Sequence, residues 1–98
     1  MSDDFAGFAL PAFKPDEARV QLARSLRDLR LSERGDGFEL RGKRVLELAV
    51  DADVLRVKMA RRLASTPEWD LQVLRSAADQ RKLVDELKKR LERWQRED

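Results

Sequence analysis

Apolar residues recur along this chain at two different periods. From Pro15 to Leu31 the period is helical: Ala18, Leu22, Leu26 and Leu29 follow at three- and four-residue spacings, with Val20 and Ala23 beside them. Arg19, Arg24, Arg27 and Arg30 fill the opposite side. Pro15 suits the first turn of such a helix, and Asp16 and Glu17 face the positive end of its dipole. The run Arg34-Gly35-Asp36-Gly37 signals a turn beyond an end near Leu31.

The period then drops to two. Phe38 and Leu40 alternate with Glu39 and Arg41; Leu46, Leu48 and Val50 with Glu47 and Ala49; Leu55, Val57 and Met59 with Arg56 and Lys58. Three such runs, separated by Arg41-Gly42-Lys43 and by residues 51–54, predict a meander of three antiparallel strands. With 51–54 as the turn, Val50 opposes Leu55, Leu48 opposes Val57 and Leu46 opposes Met59, all on one face. Glu47 then opposes Lys58 on the other, a favourable cross-strand pair. A slip of one residue would set Leu48 against Arg56 and lose both features. A helical stripe of Val45, Leu48, Ala52, Leu55 and Met59 can be drawn through the same stretch, so an all-α bundle is the alternative.

Beyond it, Ser65-Thr66-Pro67-Glu68 combines a hydroxyl cap, a first-turn proline and a glutamate three residues after the serine, which predicts a helix start. Val73, Ala77, Val84, Leu87, Leu91 and Trp94 continue at helical spacing, interrupted by Gln80. Ser76 with Asp79 forms a second capping signal, so a break near Ser76 stays open. The expected fold is α+β: a two-layer α-β-β-β-α domain over residues 15–98, its three-stranded meander packed against both helices. Residues 1–14 form an aromatic tail with neither period, carrying Phe5, Phe8, Leu10 and Phe13 around Pro11.

Composition narrows the function more than the fold. The chain has 98 residues, one domain's worth, and 41% of them are charged against an ordinary level of about 25%. Histidine, cysteine and tyrosine are absent. The commonest general base, the commonest transition-metal ligand and the strongest nucleophile are therefore missing, and the expectation is a non-enzyme without metal or cofactor. Asp51-Ala52-Asp53, the one carboxylate pair in a loop, is read as a hairpin turn. The acidic start Met1-Ser2-Asp3-Asp4 does not resemble a secretory signal, no stretch is long and apolar enough to span a bilayer, and no disulfide can form. The expected location is the cytoplasm.

Two functional expectations follow. The first is docking to an unknown protein partner or to a second copy, through Phe5, Phe8, Phe13 and Trp94. Ala77, Val84 and Leu91 repeat every seven residues, with Val73, Gln80, Leu87 and Trp94 offset by four, a pattern compatible with a paired helix. The alternative is a nucleic acid or other polyanion held by Arg41, Lys43, Arg44, Arg61 and Arg62, which the predicted pairing gathers at one end of the sheet. The charge balance favours the first: 21 basic against 19 acidic residues leave a formal net charge of only +2. The order helix–strand–strand–strand–helix is similar to that of double-stranded-RNA-binding domains. Those domains meet phosphates with a basic start to their second helix, where this chain has the acidic Thr66-Pro67-Glu68-Trp69-Asp70. The resemblance is one of order and implies no site residues here.

Overall fold

The computed structural model of the chain describes residues 12–96. Helix α1 spans Pro15–Asp28, with Pro15 in its first turn and Asp16 and Glu17 beside it. Ala18, Leu22, Ala23 and Leu26 form its buried face. The helix ends three residues before Leu31 because the chain reverses there: Leu31 N–H donates to Leu26 C=O (3.1 Å) and Arg30 N–H to Arg27 C=O (2.9 Å). This double closure needs a left-handed residue, and Arg30 supplies it at φ 71°. Leu31 and Leu26, which the closure brings together, are both buried.

Five strands follow as one antiparallel meander in sequence order: β1 Ser32–Arg34, β2 Gly37–Leu40, β3 Lys43–Asp51, β4 Val54–Ala60 and β5 Trp69–Leu74. The α+β class and two flanking helices agree with expectation, and the all-α alternative is not supported. The register of β3 on β4 is the one inferred from the alternation: Leu46–Met59, Glu47–Lys58, Leu48–Val57 and Val50–Leu55. Their tight connection places Ala52 at φ 56°, and the β2–β3 connection places Arg41 and Gly42 at φ 56° and 79°. Two successive positive φ values are what a two-residue hairpin turn requires to match the strand twist.

Three features correct the expectation. A short strand, β1, precedes the predicted three and pairs with β2 across the Gly35-Asp36 turn. The segment after Pro67 is not helical: Trp69–Leu74 is strand β5, paired with β4 from Leu55–Leu74 to Ala60–Trp69. Helix α2 therefore begins only at Ala77 and runs to Arg96. Its start is the second capping signal: Ser76 Oγ accepts from Asp79 N–H (3.1 Å), and Asp79 Oδ2 accepts from Arg75 N–H (2.9 Å). With five strands and this late helix, the element order departs from that of double-stranded-RNA-binding domains.

Helix α1 lies over β3 and β4, and α2 runs beside α1 and reaches β5. Leu83, Leu87, Leu91 and Trp94 of α2 join Leu22, Leu26, Phe38, Leu46, Leu48, Leu55, Val57 and Met59 in one core. Of the seven-residue pattern noted in the sequence, Leu87, Leu91 and Trp94 are buried in this core and Val84 packs against it, whereas Ala77 is exposed and Val73 belongs to β5. A β-bulge between Phe38 and Glu39 pairs Phe38 with Leu46 but Glu39 with Arg44, leaving Val45 as the extra residue. Val45 and Leu46 are both fully buried as a result.

Candidate docking edge on strand β5

Strand β5 sets polar residues, Asp70 and Gln72, on the face where its neighbours set apolar ones, and only Leu74 joins the core from that face. Asp70, Gln72 and Leu74 stand opposite Met59, Val57 and Leu55, so they belong to the face covered by the helices. Trp69, Leu71 and Val73 stand opposite Ala60, Lys58 and Arg56 and belong to the outer face. On β3 and β4 that face carries the pairs Lys58 Nζ to Glu47 Oε1 at 4.0 Å and Arg56 Nε to Asp51 Oδ2 at 2.5 Å, beside Ala49 and the buried Ala60. On β5 it carries an apolar row. Trp69 packs against the core, Val73 is half-buried, and Leu71 is 72% exposed.

The backbone of the same three residues faces the open edge of the sheet. Arg61 N–H donates to Glu68 C=O at 2.9 Å, which makes that pair a hydrogen-bonded one. The register continues unbroken from there, and hydrogen-bonded and non-bonded pairs alternate in an antiparallel ladder. Asp70, Gln72 and Leu74 therefore bond to β4, while Trp69, Leu71 and Val73 direct N–H and C=O away from it. Among the described residues, β5 is the last strand of the sheet. At the other edge, β1 is three residues long, Ser32-Glu33-Arg34, and every one is exposed. Short, charged edges discourage pairing with another chain, whereas β5 has no proline, lysine or bulge, and its one inward charge, Asp70, is already paired with Arg61 and Arg90.

An ion-pair network holds β5 in this orientation. Asp70 Oδ1 accepts from Arg61 Nε (2.7 Å), and Asp70 Oδ2 lies 2.8 Å from Arg90 Nη2 of α2. Arg90 is only 12% exposed; it also bonds Glu86 Oε2 (2.9 Å) and donates to Ala60 C=O (3.0 Å). Arg93 donates to Arg61 C=O (2.9 Å). The bond from Arg61 holds the Asp70 carboxyl below the usual carboxylate range; partial burial opposes this, and Arg90 reinforces it. The same bond raises the Arg61 guanidinium above its ordinary value. A carboxylate facing the helices is thus neutralised by two cations, and the apolar side of β5 is left facing outward.

The residues singled out from sequence are distributed as follows. Arg44 is carried to the outer face by the bulge, where Asp36 Oδ1 and Glu47 Oε2 each lie 2.6 Å from it. The hydrogen bond to Glu47 raises its guanidinium above the ordinary value. Arg61 turns the other way, to Asp70 on β5. Arg41 sits on the β2–β3 turn and donates to Gln95 C=O at 3.4 Å. Lys43 is half-buried at the start of β3, and Arg62 is exposed just after β4. Arg44 and Arg61 are thus drawn apart into separate ion pairs. Phe13 is half-buried against the core, and Trp94 is its largest fully buried side chain. The Trp94 indole N–H has no acceptor among the described residues. Phe5 and Phe8 lie outside the described residues.

Sequence reasoning missed Leu71 and its row. The signal was present as the alternation Trp69-Asp70-Leu71-Gln72-Val73, but the capping pattern at Ser65–Glu68 outweighed it. A bowl of about 630 Å³ opens between the starts of the two helices, lined among others by Phe13, Lys14, Ala18, Arg75, Ala77 and Arg81. Among the described residues no cluster of side chains suited to a metal ion is formed, and no helix is long and apolar enough to cross a membrane. Comparison with protein-family models, with curated proteins and with solved structures finds no match to this chain.

Proposed function

We propose that this chain is a non-catalytic, cytoplasmic interaction protein that docks an extended segment of a protein partner along the open edge of β5. One observation carries the reading: the apolar row and the outward-directed backbone groups of the sheet fall on the same three residues, Trp69, Leu71 and Val73. Strand addition uses both, since main-chain bonds supply affinity and alternate side chains supply selectivity. The polyanion reading has less behind it, because Arg44 and Arg61 are already engaged by Asp36, Glu47 and Asp70.

The test uses a fluorescent peptide alternating valine with lysine and threonine. Its anisotropy should rise on titration with the protein, and the amides of Trp69, Leu71 and Val73 should gain protection from hydrogen exchange. Leu71→Pro, which removes an outward N–H and no bond to β4, should abolish the rise. Fast exchange at all three amides, with the protein concentrated and the peptide in excess, would end the proposal.

A further inference from the structure

We infer that the segment docked on β5 is β5 of a second copy of this chain, paired antiparallel about Leu71. The inference rests on the docking role of this edge and names its occupant. It follows from what the strand sets against itself. With Leu71 opposite Leu71 of the second copy, Trp69 meets Val73 and Asp70 meets Gln72, each pair occurring twice by symmetry. On the outer face this gives an aromatic residue against a β-branched one on either side of a leucine pair, a favourable cross-strand set. On the helix-covered face, each Asp70 carboxylate meets an amide that can donate to it.

Neighbouring registers fail. Centred on Asp70, the pairing sets two carboxylates opposite each other. Centred on Gln72, it sets Trp69 against Arg75 and Asp70 against Leu74. A pairing centred between residues turns one sheet over and sets Leu71 against Asp70 or Gln72.

Hydrogen bonding selects the same arrangement. Trp69, Leu71 and Val73 hold the outward N–H and C=O groups, and in this register they pair only with one another. Each can both donate and accept, so no outward group between Trp69 and Val73 is left without a partner. The two sheets join into one, with the helices of both copies on the same face. Glu68 and Arg75 flank the strand at its two ends, so antiparallel pairing brings an acidic end beside a basic one at both limits of the contact. The contact is isologous, hence closed at two copies, and the charged three-residue strand β1 remains at either end of the joined sheet.

The absence of cysteine makes the test clean. In a hydrogen-bonded antiparallel pair, Cα atoms are about 5.5 Å apart, within the range a disulfide spans. Leu71→Cys in the full chain should therefore form a covalent dimer on mild oxidation. It should do so at least about tenfold faster than Ala49→Cys, an exposed control on β3. Sedimentation of the unaltered chain should show a monomer–dimer equilibrium, and Leu71→Lys should shift it to monomer with its circular dichroism unchanged. A strict monomer up to millimolar concentration overturns the inference. So does a dimer in which Leu71→Cys links no faster than Ala49→Cys. If the chain is monomeric yet protects its β5 amides with the alternating peptide, the edge docks a foreign strand: the second copy fails and the docking role survives. If neither peptide nor second copy protects those amides, both fail.

Discussion

Arg90 Nη2 lies 2.8 Å from Asp70 Oδ2, joining the last helix to the edge strand. That contact links the capping of one element to the orientation of another. Ser76 and Asp79 start α2 at Ala77, and from that start Arg90 falls beside the end of β4, where it also takes Ala60 C=O. A carboxylate on the helix-covered face of β5 would otherwise oppose this orientation. Arg90→Met keeps most of the side-chain volume and removes the charge and the donors. We expect it to lower stability by about 1.5–3 kcal/mol, the range for hydrogen bonds to charged groups. The check is urea unfolding, together with faster amide exchange in Asp70, Gln72 and Leu74 than in β3.

The same carboxylate predicts how stability responds to acid. Its pKa is lowered in the folded chain, chiefly by the bond from Arg61, so folding favours the ionised form. The contribution is fully present above the ordinary carboxylate value, near pH 4, and is lost as pH falls through the lowered folded value. Asp70→Asn should therefore melt below the parent at pH 6, and the gap should narrow as pH is taken below about 4. A gap that stays constant from pH 6 to pH 2 would show that the ionised carboxylate contributes nothing. The lifted guanidinium of Arg44 has no counterpart in this range, since it stays protonated throughout.

The parts of the fold legible in the sequence are those where one arrangement satisfied two faces at once. For β3 and β4, a single register hid Leu46, Leu48, Leu55, Val57 and Met59 and also set Glu47 against Lys58. β1 offered no such constraint: Ser32, Glu33 and Arg34 are all exposed and bury nothing. β5 was hidden by the polar residues on its inner face. Asp70 and Gln72 occupy the helix-covered face while Leu71 is exposed, so between Trp69 and Leu74 the apolar positions did not mark the core side. What permits this is Arg90, distant in sequence and invisible to local patterning. The cation cluster was legible as a set of residues but not as an arrangement. The bulge at Val45 shifts Arg44 by one position and delivers it to Asp36 and Glu47.

Gly37 shows how tightly that delivered side chain is held. The Arg44 guanidinium lies across Gly37, and a methyl group added there would overlap it. The guanidinium is the end of a long side chain and can move, but only by leaving Asp36 and Glu47. Solvent-accessible pairs of this kind contribute roughly 0.2–1 kcal/mol each. Gly37→Ala should thus cost about 1 kcal/mol in the parent, offset in part by the lower freedom of alanine in the unfolded chain. In an Arg44→Ala background the obstruction is gone and only the entropic gain remains, so the same change should be neutral or stabilising. Equal costs in both backgrounds would show that the overlap with Arg44 is not the cause.

The turn at Ala52 offers a change of opposite sign to the usual one. Ala52 sits at φ 56°, where an L side chain crowds its own backbone at a cost of about 1–2 kcal/mol. Glycine removes that strain but adds about 0.4–1 kcal/mol of freedom to the unfolded chain. Ala52 is exposed, so no packing is lost. Ala52→Gly should therefore stabilise by a few tenths to about 1 kcal/mol, a rise of a few degrees in melting temperature for a domain this size. Ala49, three residues earlier and also exposed, lies in regular strand paired with Arg56. There the identical substitution only loosens the unfolded chain and weakens the strand, and it should destabilise by roughly 0.5–1 kcal/mol. Urea unfolding of the two variants side by side separates backbone strain from residue type. A loss of stability in both would mean that the left-handed conformation at Ala52 carries no strain for glycine to relieve.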